Sequence, residues 1–130
     1  MRPIRLVIAV TAAAIGIVGT AAAATFSSPQ LHAVAPSIAM YCTVANVGST
    51  PVNIQVTLYD PYGNVLPPTI ETCAFPYLGV LPANAKCYVQ VAAPAFAHCS
   101  VEASSSKIRA ALGVLDSAGN VSAIVPVTKK

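Results

Sequence analysis

Few residues in this chain could do chemistry. Its 130 residues hold four acids (Asp60, Glu71, Glu102, Asp116), two histidines (His32, His98), four cysteines and no tryptophan. A pair of carboxylates can perform general acid/base hydrolysis. Asp60 and Asp116, however, each open a D-x-x-G-N segment, where an Asp side chain serves backbone N–H groups of a turn. Glu102 reads as outward on a strand and Glu71 as a loop residue. His98 adjoins Cys99, but neighbours on a strand point to opposite faces, which separates the two as a catalytic pair. His32 reads as a solvated surface residue.

Ser104-Ser105-Ser106-Lys107 matches the S-x-x-K pattern of penicillin-recognising enzymes. In those enzymes the serine opens a helix and a K-T-G strand completes the site. No helix signal and no K-T-G accompany it here, so the segment reads as a serine turn. Asn120-Val121-Ser122 is a glycosylation sequon beside a turn glycine. The D-x-x-G-N turns lack the alternating oxygen ligands of a calcium loop.

Cys42, Cys73, Cys87 and Cys99 are 31, 14 and 12 positions apart. Zinc sites need close-set pairs, so two disulfides are expected instead. Of the three possible pairings, Cys42–Cys99 with Cys73–Cys87 is favoured; Cys87–Cys99 across a hairpin is the alternative. No metal and no cofactor are expected.

Tyrosine is the most suggestive surface residue. Tyr59, Tyr62 and Tyr88 read as outward and together form the possible ligand surface, with Tyr41 a further outward candidate. Tyrosine offers contact area with a polar tip, suited to protein or sugar. Tyrosine is also an ordinary strand residue on a half-exposed sheet face.

These residues must be positioned by an exported β-domain. Arg2 and Arg5 precede an apolar run, Leu6 to Val18, and Ala22-Ala23-Ala24 supplies a cleavage signal before Thr25. This is the pattern of a secretory signal peptide over residues 1–24. An uncleaved anchor is the competing reading, though the second half of the run is alanine and glycine rather than leucine. No cysteine follows the run closely enough for a lipid anchor. The remaining chain keeps Lys86, Lys107, Arg109, Lys129 and Lys130 against four acids, a formal charge of +1. That excludes nucleic acid as a partner, and no second apolar stretch would hold a membrane after cleavage.

Residues 25–37 contain Pro29 and Pro36 and read as an exposed lead-in or loose edge segment. Residues 38–130 form the domain. Met40, Cys42 and Val44 share one face, and Val52, Ile54, Val56 and Leu58 alternate with Asn53, Gln55, Thr57 and Tyr59. The stretch Val65 to Leu81 is interrupted by prolines and holds one or two short edge strands. Further alternating runs carry Cys87, Val89 and Val91; Cys99 and Val101; Ile108 to Val114; and Val121 to Val127. No apolar stripe of helical period is found. Short strands spaced by Gly, Pro and Asn turns predict an antiparallel β-sandwich of about seven or eight strands.

YCTVANVGSTPVNIQVTLYDPYGNVL and AHCSVEASSSKIRAALGVLDSAGN resemble small bacterial exported proteins of unknown function. The first stretch also resembles the opening hairpin of immunoglobulin-like modules in bacterial surface proteins. The resemblance implies an immunoglobulin-like fold and brings no functional residues. The expected role is therefore non-enzymatic: binding of a protein or glycan partner, or a structural part, in the periplasm or outside the cell. A carbohydrate-binding module is the first alternative, and a small secreted hydrolase or inhibitor the second.

Overall fold

The computed structural model describes residues 23–33, 37–92 and 96–130. The signal-peptide reading of residues 1–24 therefore falls almost wholly outside the described residues. Ten antiparallel strands and no helix occur among those described. They are β1 (Ala24–Ser27), β2 (Leu31–His32), β3 (Ser37–Asn46), β4 (Val52–Tyr59), β5 (Pro68–Glu71), β6 (Val80–Leu81), β7 (Lys86–Ala92), β8 (Phe96–Ala103), β9 (Ile108–Asp116) and β10 (Val121–Lys129).

The strands hydrogen-bond in the order β5-β7-β3-β9-β10-β1-β8-β4-β6, with β2 on β8. This is one continuous sheet curled on itself. It corrects the expected seven or eight strands in two separate sheets. Short β1 makes the difference. Phe26 and Ser27 pair with Lys129 and Thr128 of β10, while Ala24 to Ser27 pair with Ala103 to Ser100 of β8. The expected loose lead-in thus supplies the seam of the sheet. Phe26 is buried, and Ser28 beyond it exchanges two bonds with Cys99, one of them from the Cys99 N–H to Ser28 Oγ at 2.9 Å.

Burial follows the period of two. In β4 the buried Val52, Ile54, Val56 and Leu58 alternate with Asn53, Gln55, Thr57 and Tyr59. Met40, Cys42 and Val44 of β3, Val89 and Val91 of β7, Cys99 and Val101 of β8, and Leu112 and Val114 of β9 complete the core.

The Cys42–Cys99 bond joins β3 to β8, two strands separated in the sheet by β9, β10 and β1. It spans the hollow of the curl and clamps it. The Cys73–Cys87 bond ties the loop after β5 to β7. Both pairings are those favoured from the sequence.

The two D-x-x-G-N segments fold alike. Asp60 Oδ1 accepts the N–H groups of Tyr62 and Asn64 at 2.9 Å, and Asp116 Oδ1 accepts those of Ala118 and Asn120 at 2.9 Å. Gly63 and Gly119 close both turns at φ of 85° and 83°. The Asn64 N–H, foremost, holds the Asp60 carboxyl below the usual carboxylate range. Turn chemistry accounts for the repeat. Ser104 Oγ likewise accepts the Asn53 N–H at 2.9 Å, and Ser105 Oγ accepts the Lys107 N–H at 3.1 Å, so the S-x-x-K segment is a turn.

Candidate ligand-binding face

On β7, β3 and β9, inward residues fill the core and the intervening residues form an outer face. Register places them in rows. Ile70, Gln90, Tyr41, Gly113 and Ile124 form one row across β5, β7, β3, β9 and β10. Tyr88, Thr43, Ala111 and Pro126 form the next, and Lys86, Ala45 and Arg109 the third. Small residues on β9 leave room for large ones on β3. A Cβ on Gly113 would lie 2.6 Å from Tyr41 Cζ, so the Tyr41 ring rests over this glycine. Aromatic cover of a strand glycine also screens exposed backbone.

Two adjoining hollows open on this face. One, of about 310 Å³, is lined by Tyr41, Thr43, Tyr88, Gln90 and Leu115. The other, of about 460 Å³, is lined by Thr43, Tyr88, Lys86, Thr72, Pro76 and Tyr77, with Cys87 beneath. Both are shallow and open to solvent; they adjoin at Thr43 and Tyr88, and three tyrosines border the groove they outline.

The groove walls are fixed in place. Thr72 Oγ1 accepts the Tyr88 N–H at 2.8 Å and donates to the Tyr88 carbonyl at 3.2 Å, and the Thr72 N–H donates to that carbonyl at 2.9 Å. Thr43 Oγ1 donates to the Cys87 carbonyl at 3.3 Å. Pro76 and Tyr77 come from the loop between β5 and β6. There the Leu78 N–H donates to the Ala74 carbonyl and the Gly79 N–H to the Cys73 carbonyl, both at 2.9 Å. The two bonds span four and six residues and nest one inside the other, and the backbone is left-handed at both Leu78 and Gly79. Leu78 accordingly has φ of 54°. It is also 76% exposed, as is Phe75.

The charge on the face has one sign. Lys86 lines the groove and Arg109 stands exposed in the same row, on either side of Ala45. No acid lines either hollow among the described residues.

The sequence-predicted tyrosines do not meet in one platform. Tyr88 is on the face just described. Tyr59 projects from β4, on the far side of the core, and stacks on His98 of β8 with ring centroids 5.3 Å apart. On the same side His32 stacks on Phe96 at 4.3 Å. Tyr62 stands 89% exposed in the Asp60 turn. Tyr41 and Tyr77 take the places expected of Tyr59 and Tyr62. Alternation on β3 gives Tyr41 the outward parity, whereas Tyr77 lies in a stretch without a period.

His98 and Cys99 do point to opposite faces. Among the described residues no cluster of three His, Cys, Asp or Glu side chains is spaced to hold a metal ion. Glu102 pairs with Gln55 and Thr25 on the far side and is exposed.

No family model and no curated protein match the chain. Among solved structures, a Thermotoga maritima protein, "Thermotoga maritima 1070", aligns over 84% of this chain and 94% of its own. The TM-score is 0.43 and the identity 11%. The strand pairings above, rather than that likeness, define the architecture.

Proposed function

We propose that this chain is an exported, non-enzymatic binding protein whose ligand lies in the groove formed by Tyr41, Tyr88 and Tyr77. The reading is supported most by the two hollows meeting at Tyr88, with their walls pinned by backbone bonds. A rigid aromatic groove binds with little ordering cost. Glycans suit it: sugar rings present C–H faces to tyrosine and hydroxyls to Thr43, Thr72 and Gln90. Two buried disulfides accord with an oxidising compartment, periplasmic or extracellular, reached through the N-terminal signal. In the same proposal the chain is a divergent relative of immunoglobulin-like exported modules, with β1 joining what would otherwise be two sheets.

The test is a glycan screen with oxidised protein recovered from exporting cells, repeated with Tyr88→Ala. Binding that Tyr88→Ala reduces at least ten-fold supports the reading. Binding indifferent to Tyr88, or no glycan bound, refutes it.

A second reading rests on Phe75 and Leu78. Large apolar side chains held outward on a disulfide-tied loop are typical anchors for a protein partner. Capture of a partner that Phe75→Ser abolishes, with Tyr88→Ala neutral, would favour it.

A further inference from the structure

The third row of the outer face bears on what kind of glycan the groove takes. Lys86 and Arg109 both pair with Ala45, one from each neighbouring strand. Adjacent strands lie about 4.8 Å apart, so the two cationic residues stand roughly 10 Å apart. The methyl group of Ala45 leaves the space between them open. Both cations are exposed, and Lys86 also lines the groove beside Tyr88 and Tyr77.

The neighbouring acids do not line the hollows. Glu71 is exposed on edge strand β5, opposite Val89 and one position from Thr72. Asp116 lies at the other end of β9, with Oδ1 accepting bonds from Ala118 and Asn120. The row of Tyr88 and Thr43 is two residues from the row of the cations, or about 7 Å along the strands. That is the reach of one sugar residue and its substituent.

Resting on the glycan reading above, we infer that the groove selects acidic oligosaccharides. A sugar ring packs on Tyr88, and its carboxylate sits between Lys86 and Arg109 over Ala45. Arg109 can hold a carboxylate through two parallel N–H bonds, and Lys86 adds a point charge. Neither cation is needed to bury the core, so the pair is free to serve a ligand.

The experiment measures binding of trigalacturonate, a neutral trisaccharide and inorganic phosphate to the oxidised protein by calorimetry at low salt. Trigalacturonate is expected to bind about ten-fold tighter than the neutral sugar, the gain of two exposed charge pairs. Raising the salt should erase most of that margin. The double variant Lys86→Gln, Arg109→Gln should bring trigalacturonate down to the affinity of the neutral sugar in the same variant. Equal affinity for both sugars, both lost in Tyr88→Ala, would overturn the acidic preference alone. Absence of binding to either sugar would overturn the glycan reading with it. Phosphate bound as tightly as trigalacturonate would mean that the cations recognise an anion without its sugar, and would also overturn the inference.

Discussion

The Tyr41 ring lies over Gly113, its cross-strand partner on β9, so closely that a methyl group there would meet Cζ at 2.6 Å. The outer face owes its shape to this pair. Gly113→Ala must displace the ring, because the strand backbone beneath cannot give way cheaply. We expect a loss of about 1–3 kcal/mol in stability, as for other overpacked sites. The Tyr41 ring resonances should shift in NMR while core methyl signals stay in place. Unchanged Tyr41 resonances would mean that the ring has another resting place.

Asn46 ends β3 at only 1% exposure and uses every polar atom of its side chain. Nδ2 donates to the carbonyls of Thr50 and Leu81 at 2.8 and 3.0 Å, and Oδ1 accepts the Gly48 N–H at 2.9 Å. It thereby ties the turn before β4 to β6. Asn46→Ala leaves buried partners unsatisfied and should cost about 2–4 kcal/mol in chemical denaturation. Asn46→Asp should cost more near neutral pH, since a carboxylate would face two carbonyl oxygens. Equal stability of the two variants would argue that the site is wet.

The disulfides should dominate stability. Loop entropy gives about 4 kcal/mol for a separation of 57 residues and about 3 kcal/mol for one of 14. A domain of this size has a total stability of about 5–15 kcal/mol. Reduction should therefore lower the melting temperature by tens of degrees or unfold the protein. Cys73→Ala/Cys87→Ala should cost less than Cys42→Ala/Cys99→Ala, because the latter also opens the clamp between β3 and β8. A melting temperature indifferent to reductant would show that packing alone holds the curl.

Leu78 occupies a left-handed conformation while three-quarters exposed. An L side chain there costs about 1–2 kcal/mol relative to glycine. Leu78→Gly should therefore stabilise the folded state by about 1 kcal/mol in denaturant titration, less what glycine gains in the unfolded chain. Destabilisation instead would mean that the Leu78 side chain makes a contact worth more than its strain.

Alternation alone made β3, β4, β7, β8 and β9 legible, since each buries one parity against the core, and β10 repeats the apolar alternation while burying only Val127 fully. Cysteine parity placed Cys42, Cys87 and Cys99 inward, which favoured the observed pairing but left Cys87–Cys99 open until the fold set β3 against β8. The seam strand was not legible. Ala24-Thr25-Phe26-Ser27 is too short for its alternation to stand out, and only pairing with both β8 and β10 makes it a strand. Nor could the groove be read. Tyr41, Tyr88 and Tyr77 converge through strand register and through a loop turned by two left-handed residues, Leu78 and Gly79, whereas Tyr59 parts from Tyr88 because β4 and β7 lie on opposite sides of the core.

An amide and tyrosine-ring NMR titration of the oxidised protein with trigalacturonate tests most directly whether the tyrosine groove is the binding site. Shifts are expected on Tyr41, Tyr77, Tyr88, Gln90 and Gly113, with the ring signals of Tyr59 and His98 unmoved. Shifts confined to the face of Tyr59, His98, Phe96 and His32, or no shifts at all, would contradict that assignment.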